Sequence, residues 1–176
     1  HEDAGRLGWF GSRHEAQGLP CAACHSIHQA RDRVFDPLSQ QETCFGCHEK
    51  RRADVLRTSN HPLRFGSMAC SSCHDPHDGN NESLLRAETV NRTCYLCHAE
   101  KRGPFLWEHA PASEDCTLCH RPHGSNHLAM LTKRPPLLCQ QCHAPAGHPS
   151  VAYTPEQVEN EFNNRFLLAR ACLNCH

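Results

Sequence analysis

The feature that most constrains this chain is a five-residue motif, Cys-x-x-Cys-His, which occurs seven times in 176 residues. The motifs use all 14 cysteines, so no thiol is left over for another purpose. They read, in order along the chain, CAACH, CFGCH, CSSCH, CYLCH, CTLCH, CQQCH and CLNCH. Any fold of this sequence must therefore accommodate the same local chemistry seven times.

Cys-x-x-Cys-His is the attachment signature of c-type haem, in which two thiols bond to the porphyrin vinyl groups and the histidine binds the iron. A zinc site would pair Cys-x-x-Cys with a second such pair or with His-x-x-x-His. A disulfide framework would not place a histidine after every second cysteine. We therefore predict seven covalently bound haem c groups. The predicted thioether residues are Cys21, Cys24, Cys44, Cys47, Cys70, Cys73, Cys94, Cys97, Cys116, Cys119, Cys139, Cys142, Cys172 and Cys175. The predicted proximal iron ligands are His25, His48, His74, His98, His120, His143 and His176.

The composition agrees with a protein built around porphyrins. Only 38% of the residues are hydrophobic and 6% are aromatic, which is too little to offset the chain entropy by side-chain burial alone. We expect a multihaem cytochrome c fold of irregular loops and short α-helices, with little or no β-structure, wrapped round an elongated chain of haems. The segment Thr154-Pro155-Glu156 predicts the start of one helix near the last motif.

The remaining histidines follow a two-motif period. The first, third and fifth motifs are each followed by a histidine three residues on, and each is preceded by one at seven to nine residues. This pattern predicts a single domain over 1–176, built of two-haem units at about 11–60, 61–108 and 109–150 plus a one-haem segment at 151–176. The candidate distal iron ligands are His14, His28, His61, His77, His109, His123, His148 and His127.

One ligand scheme has the upstream histidine serving the odd-numbered haem of its own unit, while the histidine after each odd motif reaches the next haem. This scheme assigns the first to sixth haems, in order, to His14, His28, His61, His77, His109 and His123. The seventh haem is left to His148 or His127. An iron with two histidine ligands has no open coordination site, so we expect an electron carrier with no catalytic residues and no enzymatic activity.

The charge balance excludes one class of partner and the cysteine usage indicates a compartment. Lys and Arg number 18 against 19 Asp and Glu, so nucleic-acid binding is not indicated. Covalent haem attachment is typical of an oxidising, extracytoplasmic compartment in bacteria. No apolar run reaches membrane-spanning length and no signal peptide opens the sequence, so we expect a mature form or a fragment.

The stretch CHAEKRGPFLWEHAP at 97–111, then CTLCHRPHGSNH, and then CQQCH with GHPS resembles the periplasmic decahaem cytochromes of the MtrA/DmsE type. The resemblance implies bis-histidine haems threaded into a narrow wire, on the periplasmic side of the outer membrane or inside a porin. Seven motifs replace the family's ten, and the missing ones lie towards the N-terminus. Family members also continue past the position of His176 with a histidine-rich tail, so the seventh haem could take its ligand from another subunit.

The expected function is electron conduction between the periplasm and extracellular acceptors or donors across the outer membrane. The expected partners are a quinol-linked donor in the inner membrane or periplasm, an extracellular cytochrome or reductase, and an outer-membrane porin. An alternative is a subunit of an extracellular cytochrome filament, with self-association and an extracellular location. A multihaem reductase is disfavoured because it requires a five-coordinate haem.

Overall fold

The computed structural model describes residues 8–77, 81 and 83–143 of the chain. The seventh motif, His148 and the helix predicted near Thr154 lie outside the described residues.

Short helices joined by loops make up the described part of the chain. The α-helices are α1 (Arg13–Ala16), α2 (Cys21–Cys24), α3 (Pro37–Phe45), α4 (Glu49–Val55), α5 (Val90–Tyr95) and α6 (Ala110–Glu114). The 3-10 turns are Pro62–Phe65, Cys70–Ser72, Ala99–Lys101, Cys116–Leu118, Leu128–Met130 and Cys139–Gln141. The described residues form isolated β-bridges but no strand, which confirms the predicted fold class of loops and short helices.

The two helices that lead into the second and fourth motifs begin with side-chain caps. The Asp36 carboxylate accepts from the Ser39 N–H at 2.8 Å, and Pro37 occupies the first position of α3. The Thr89 hydroxyl caps α5 by accepting from the Arg92 N–H at 3.1 Å. Both helices therefore start at a fixed residue, and each carries the first cysteine of its motif in its last turn.

The apolar core of the described residues is very small. Phe45, Val55 and Leu63 form its one cluster of buried side chains, with Met68 packed against it. By contrast, Trp107 is 89% exposed. Because so little apolar surface is buried by protein alone, these side chains cannot by themselves offset the ordering of the chain.

The first and third units touch through backbone contacts. Ser59 and Ser125 exchange two hydrogen bonds of 2.9 and 2.8 Å, which join the end of the first unit to the third. Beside this bridge, a Cβ on Gly124 would lie 2.1 Å from the Asp54 carbonyl oxygen, and the φ of Gly124 is 138°. Only glycine permits this close approach between the end of α4 and the loop after the fifth motif.

In the part of the chain that the structure describes, no helix is both long enough and apolar enough to cross a bilayer.

Candidate haem-binding and electron-transfer site

Each described Cys-x-x-Cys-His motif forms one helical turn. In all six, the histidine N–H donates to the carbonyl of the first cysteine, at 2.8 to 3.0 Å. Residues that are three and four apart lie on one face of such a turn. The two thiols and the imidazole of each motif therefore share one face, as attachment to one porphyrin requires.

Five motif histidines face a second histidine that lies outside the motifs. The ring centroids are 5.8 to 6.3 Å apart in the pairs His25–His77, His48–His14, His74–His123, His98–His61 and His143–His109. No pair joins two motif histidines. Each of the five pairs therefore contains one motif histidine and one histidine from elsewhere in the chain.

The separation of the paired rings fits a shared metal. With a metal–nitrogen bond of about 2 Å on either side, two imidazoles on one metal have ring centres roughly 6 Å apart. Two ligands alone would hold a free ion weakly, but a haem iron brings four porphyrin nitrogens of its own. The residues present therefore fit haem groups bound covalently by the motif cysteines.

Hydrogen bonds at Nδ1 fix the ring orientation of several motif histidines. His74 donates to the Ser83 carbonyl at 2.8 Å, and His120 donates to the Ala129 carbonyl at 2.7 Å. A histidine that donates from Nδ1 keeps the lone pair of Nε2 free for a metal. These rings are held in the tautomer that haem ligation needs.

Burial keeps one of the paired histidines neutral. Burial, together with the nearby Arg51, lowers the pKa of His123 to about 4. The ring is therefore uncharged at neutral pH, and the neutral imidazole is the form that binds metal.

The described motifs follow one another in space in their chain order. Cys44 of the second motif is in hydrogen-bonding contact with Cys70 of the third, and this contact raises the pKa of the Cys44 thiol. Cys73 of the third motif interacts with Cys97 of the fourth.

The row continues at both ends. Cys24 of the first motif interacts with Cys44, while Cys94 of the fourth is in hydrogen-bonding contact with Cys116 of the fifth. The cysteines of the first five motifs thus neighbour one another in chain order.

Comparison with known families finds the doubled CXXCH motif three times, over residues 14–53, 61–103 and 109–148. The chain belongs to the doubled CXXCH motif family. It is also 49% identical over 178 residues to the multihaem cytochrome MtrA of Shewanella baltica (strain OS185). That alignment covers all of this chain and 54% of the relative, so the chain spans about half the length of the curated protein that it matches.

These findings confirm the prediction of a multihaem c-type cytochrome of the MtrA type, with covalently bound haem c. Each of the three family matches begins at an upstream histidine, namely His14, His61 and His109. The doubled motif therefore includes the upstream histidine together with both of its Cys-x-x-Cys-His sequences.

The structure pairs the distal histidines differently from the ligand scheme predicted above. His14, His61 and His109 face the second, fourth and sixth motif histidines, not the first, third and fifth. The upstream histidine thus faces the second motif histidine of its own unit. These pairs contradict the scheme for the three residues, because the even motif folds back onto the start of its unit.

The histidines that follow the odd motifs also reach the opposite way from the prediction. His77 faces His25 of the first motif, and His123 faces His74 of the third. The physical reason lies in the loops after the third and fifth motifs, where the carbonyl nine residues on accepts from the Nδ1 of the motif histidine. The histidine three residues after the motif is left to face the preceding unit.

The same segments hold the units together through a proline carbonyl. His14 donates to the Pro76 carbonyl at 3.1 Å, and His61 donates to the Pro122 carbonyl at 2.9 Å. Each proline directly precedes a histidine that faces the odd motif of the previous unit. The Pro-His dipeptides of the second and third units therefore each contact both histidine pairs of the unit before them.

Three predicted ligands are not paired in this way. Among the described residues, no second ring faces His28 or His120 at this separation, and the same holds for His127. His127 has a buried Nδ1 without a hydrogen-bond partner in the structure. Its counterpart in the second unit is Asn81, whose side chain binds the backbone of Leu85. Iron ligation by the predicted distal histidines, paired or unpaired, stays a prediction.

Two buried amides contribute to the site and were not anticipated from the sequence. Gln41 and Asn91 each lie three residues before the first cysteine of an even motif, and both are buried. Gln41 donates to the Leu63 carbonyl at 2.6 Å, while Asn91 accepts from the Cys116 N–H at 2.7 Å. Both amides fasten an even motif to the following unit. Their equal offset from the motif was the available signal.

Proposed function

We propose that this chain conducts electrons through seven bis-histidine haem c groups, which link the periplasm to extracellular acceptors or donors across the outer membrane. The observation that carries this proposal is the set of five histidine pairs along the row of motifs. Their ring centroids are 5.8 to 6.3 Å apart, a separation that suits two imidazoles on one iron. Electron hopping requires that neighbouring haem edges lie close together. The closeness of cysteines in successive motifs, in hydrogen-bonding contact at Cys44–Cys70 and Cys94–Cys116, supports such proximity.

The haem groups supply one-electron chemistry at iron when they are bound. The motif cysteines would attach the porphyrins, and the paired histidines, oriented through Nδ1, would bind the iron. With two histidines on each iron no site would be left open to a substrate, so the chain would act as a carrier and not as an enzyme.

The proposed partners follow from the resemblance to MtrA-type cytochromes. A quinol-linked donor at the inner membrane or in the periplasm would supply electrons, and an extracellular cytochrome or reductase would take them. An outer-membrane porin would surround the chain, which is therefore placed in the periplasm or at the outer membrane. The two-haem units at about 11–60, 61–108 and 109–150 would be its building blocks.

The first test is the haem inventory of the purified holoprotein. Mass spectrometry should give seven covalent haems, and electron paramagnetic resonance of the oxidised protein should show low-spin ferric haem only. A high-spin signal of one haem or more in the resting protein would refute full bis-histidine ligation. Fewer than seven attached haems would refute the proposed inventory.

A second test separates the conduit from the filament. Light scattering and electron microscopy of the holoprotein should give discrete particles, and porin-containing vesicles loaded with the holoprotein should reduce an enclosed dye. Ordered filaments, with no transfer across the vesicle wall, would favour the extracellular assembly instead.

A further inference from the structure

The Nδ1 partner of the first motif histidine differs in charge from those of the third and fifth. His25 donates from Nδ1 to the Asp32 carboxylate at 2.5 Å. His74 and His120 donate to the backbone carbonyls of Ser83 and Ala129. The first site thus has an anion where the other two have a neutral dipole.

The Asp32 carboxylate is fixed in position by the backbone. Its other oxygen, Oδ1, accepts from the Ser26 N–H at 3.0 Å and from the Val34 N–H at 3.3 Å. An aspartate carries its negative charge at neutral pH. Only 17% of the Asp32 side chain is exposed to solvent, so its charge lies close to His25 with little water between them.

No equivalent carboxylate contact occurs at the other described motif histidines. The nearest case is Glu100, whose Oε1 lies 3.7 Å from the Nδ1 of His98, beyond hydrogen-bonding distance. Among the described motifs, Asp32 is thus the one carboxylate in direct hydrogen-bonding contact with a motif histidine.

A carboxylate that shares the Nδ1 proton makes an imidazole a stronger donor to its metal. A stronger donor stabilises the ferric ion more than the ferrous ion, because the ferric ion carries the extra positive charge. Second-sphere hydrogen bonding is one of the means by which a protein sets the reduction potential of haem iron.

We propose that Asp32 holds the first haem at a lower reduction potential than the third and fifth haems, by accepting the Nδ1 proton of His25. This inference rests on the proposed function, since it requires a haem whose iron is bound by His25. The step concerned is the addition of one electron to ferric iron to give ferrous iron, with no bond broken. The first haem is then the last of the three to accept an electron, and Asp32 is a positioning and potential-setting residue.

The test is a spectroelectrochemical titration of the complete holoprotein and of its D32N variant. Asparagine has nearly the same shape as aspartate but lacks the charge. We expect one haem to titrate at a higher potential in D32N, while the others keep their values. One low-spin component of the electron paramagnetic resonance spectrum should change with it, and D32E should restore part of the original behaviour.

The matched control is D36N, which removes the same charge four residues away. Asp36 caps α3 through Ser39, and asparagine caps helices as well as aspartate does. D36N should leave every potential unchanged. Equal shifts in D32N and D36N would overturn the proposal, because they would show a long-range charge effect, and an unchanged D32N would overturn it outright.

A second control assigns the effect to the first haem. In a background with Cys21→Ala and Cys24→Ala, where the first haem is not attached, D32N should shift no potential. A shift that persists in this background would place the effect at another haem and refute the proposal. Failure of the proposed function would look different, because the unmodified protein would then show high-spin haem or fewer attached haems.

Discussion

Asn91 is the residue whose removal should damage the row of haem sites most visibly without touching a ligand. Its side-chain amide donates to the carbonyls of Ala112 and Ser113, both at 3.1 Å. Its oxygen accepts from the Cys116 N–H at 2.7 Å. The side chain therefore ties α5, which leads into the fourth motif, to α6 and the fifth motif.

The expected cost of Asn91→Ala follows from these three bonds. Each net hydrogen bond contributes about 1 kcal/mol, and partners left without water cost more because Asn91 is buried. Alanine favours the helix by roughly 0.5 kcal/mol, which offsets part of the loss. We expect a loss of about 2 to 3 kcal/mol in the free energy of unfolding.

The assay is unfolding of the oxidised holoprotein in guanidinium chloride, followed by circular dichroism in the haem absorption region. Asn91→Asp should lose at least as much free energy of unfolding as Asn91→Ala. The carboxylate keeps the bond from the Cys116 N–H, but its negative charge lies against the carbonyl oxygens of Ala112 and Ser113 and repels them. The control is Asn126→Ala at an exposed asparagine, with an expected change within about 0.5 kcal/mol. If Asn91→Ala unfolds at the same denaturant concentration as this control, the reasoning is refuted.

Two further predictions test the packing between units and the assignment of ligands. Gly124→Ala places a Cβ 2.1 Å from the Asp54 oxygen, so thermal unfolding should show that the free energy of unfolding falls by about 2 to 4 kcal/mol. The control Gly18→Ala meets no atom within 4 Å and should lose only about 1 to 2 kcal/mol, because its φ is 68°. Equal losses in the two variants would contradict the clash at Gly124. His61→Ala should leave one haem without its sixth ligand and give a high-spin signal, yet give none in a protein whose fourth haem is not attached because Cys94 and Cys97 are alanine. A high-spin signal in that background would show that His61 serves a different haem.

The motif chemistry could be predicted from the sequence because it depends on local spacing. Cys-x-x-Cys-His is short enough to form a single helical turn, and all six described motifs do so with the same hydrogen bond. The loop and short-helix fold was also predictable. A chain this poor in apolar residues, and punctuated by prolines such as Pro76 and Pro122, has neither the core nor the uninterrupted segments for long helices or sheets.

The pairing of distal histidines could not be predicted from the sequence in the same way. Spacing shows that His14 and His77 belong to a repeating set, but their partners lie 34 and 52 residues away in the chain. Which iron such a residue reaches depends on the direction in which each loop turns. The ligand scheme assumed that the chain proceeds forward after an odd motif, whereas the loops turn back towards the preceding unit.

The sequence by itself determined the cofactor, its mode of attachment and the two-motif period, because covalent haem needs only residues that are adjacent along the chain. The tertiary structure alone decided the order of the haem positions, the exchange of histidines between units and the carboxylate at His25. Those features join residues that are distant in sequence or depend on the course of a loop. They arise from how short helices, proline carbonyls and buried amides such as Asn91 fold one unit onto the next.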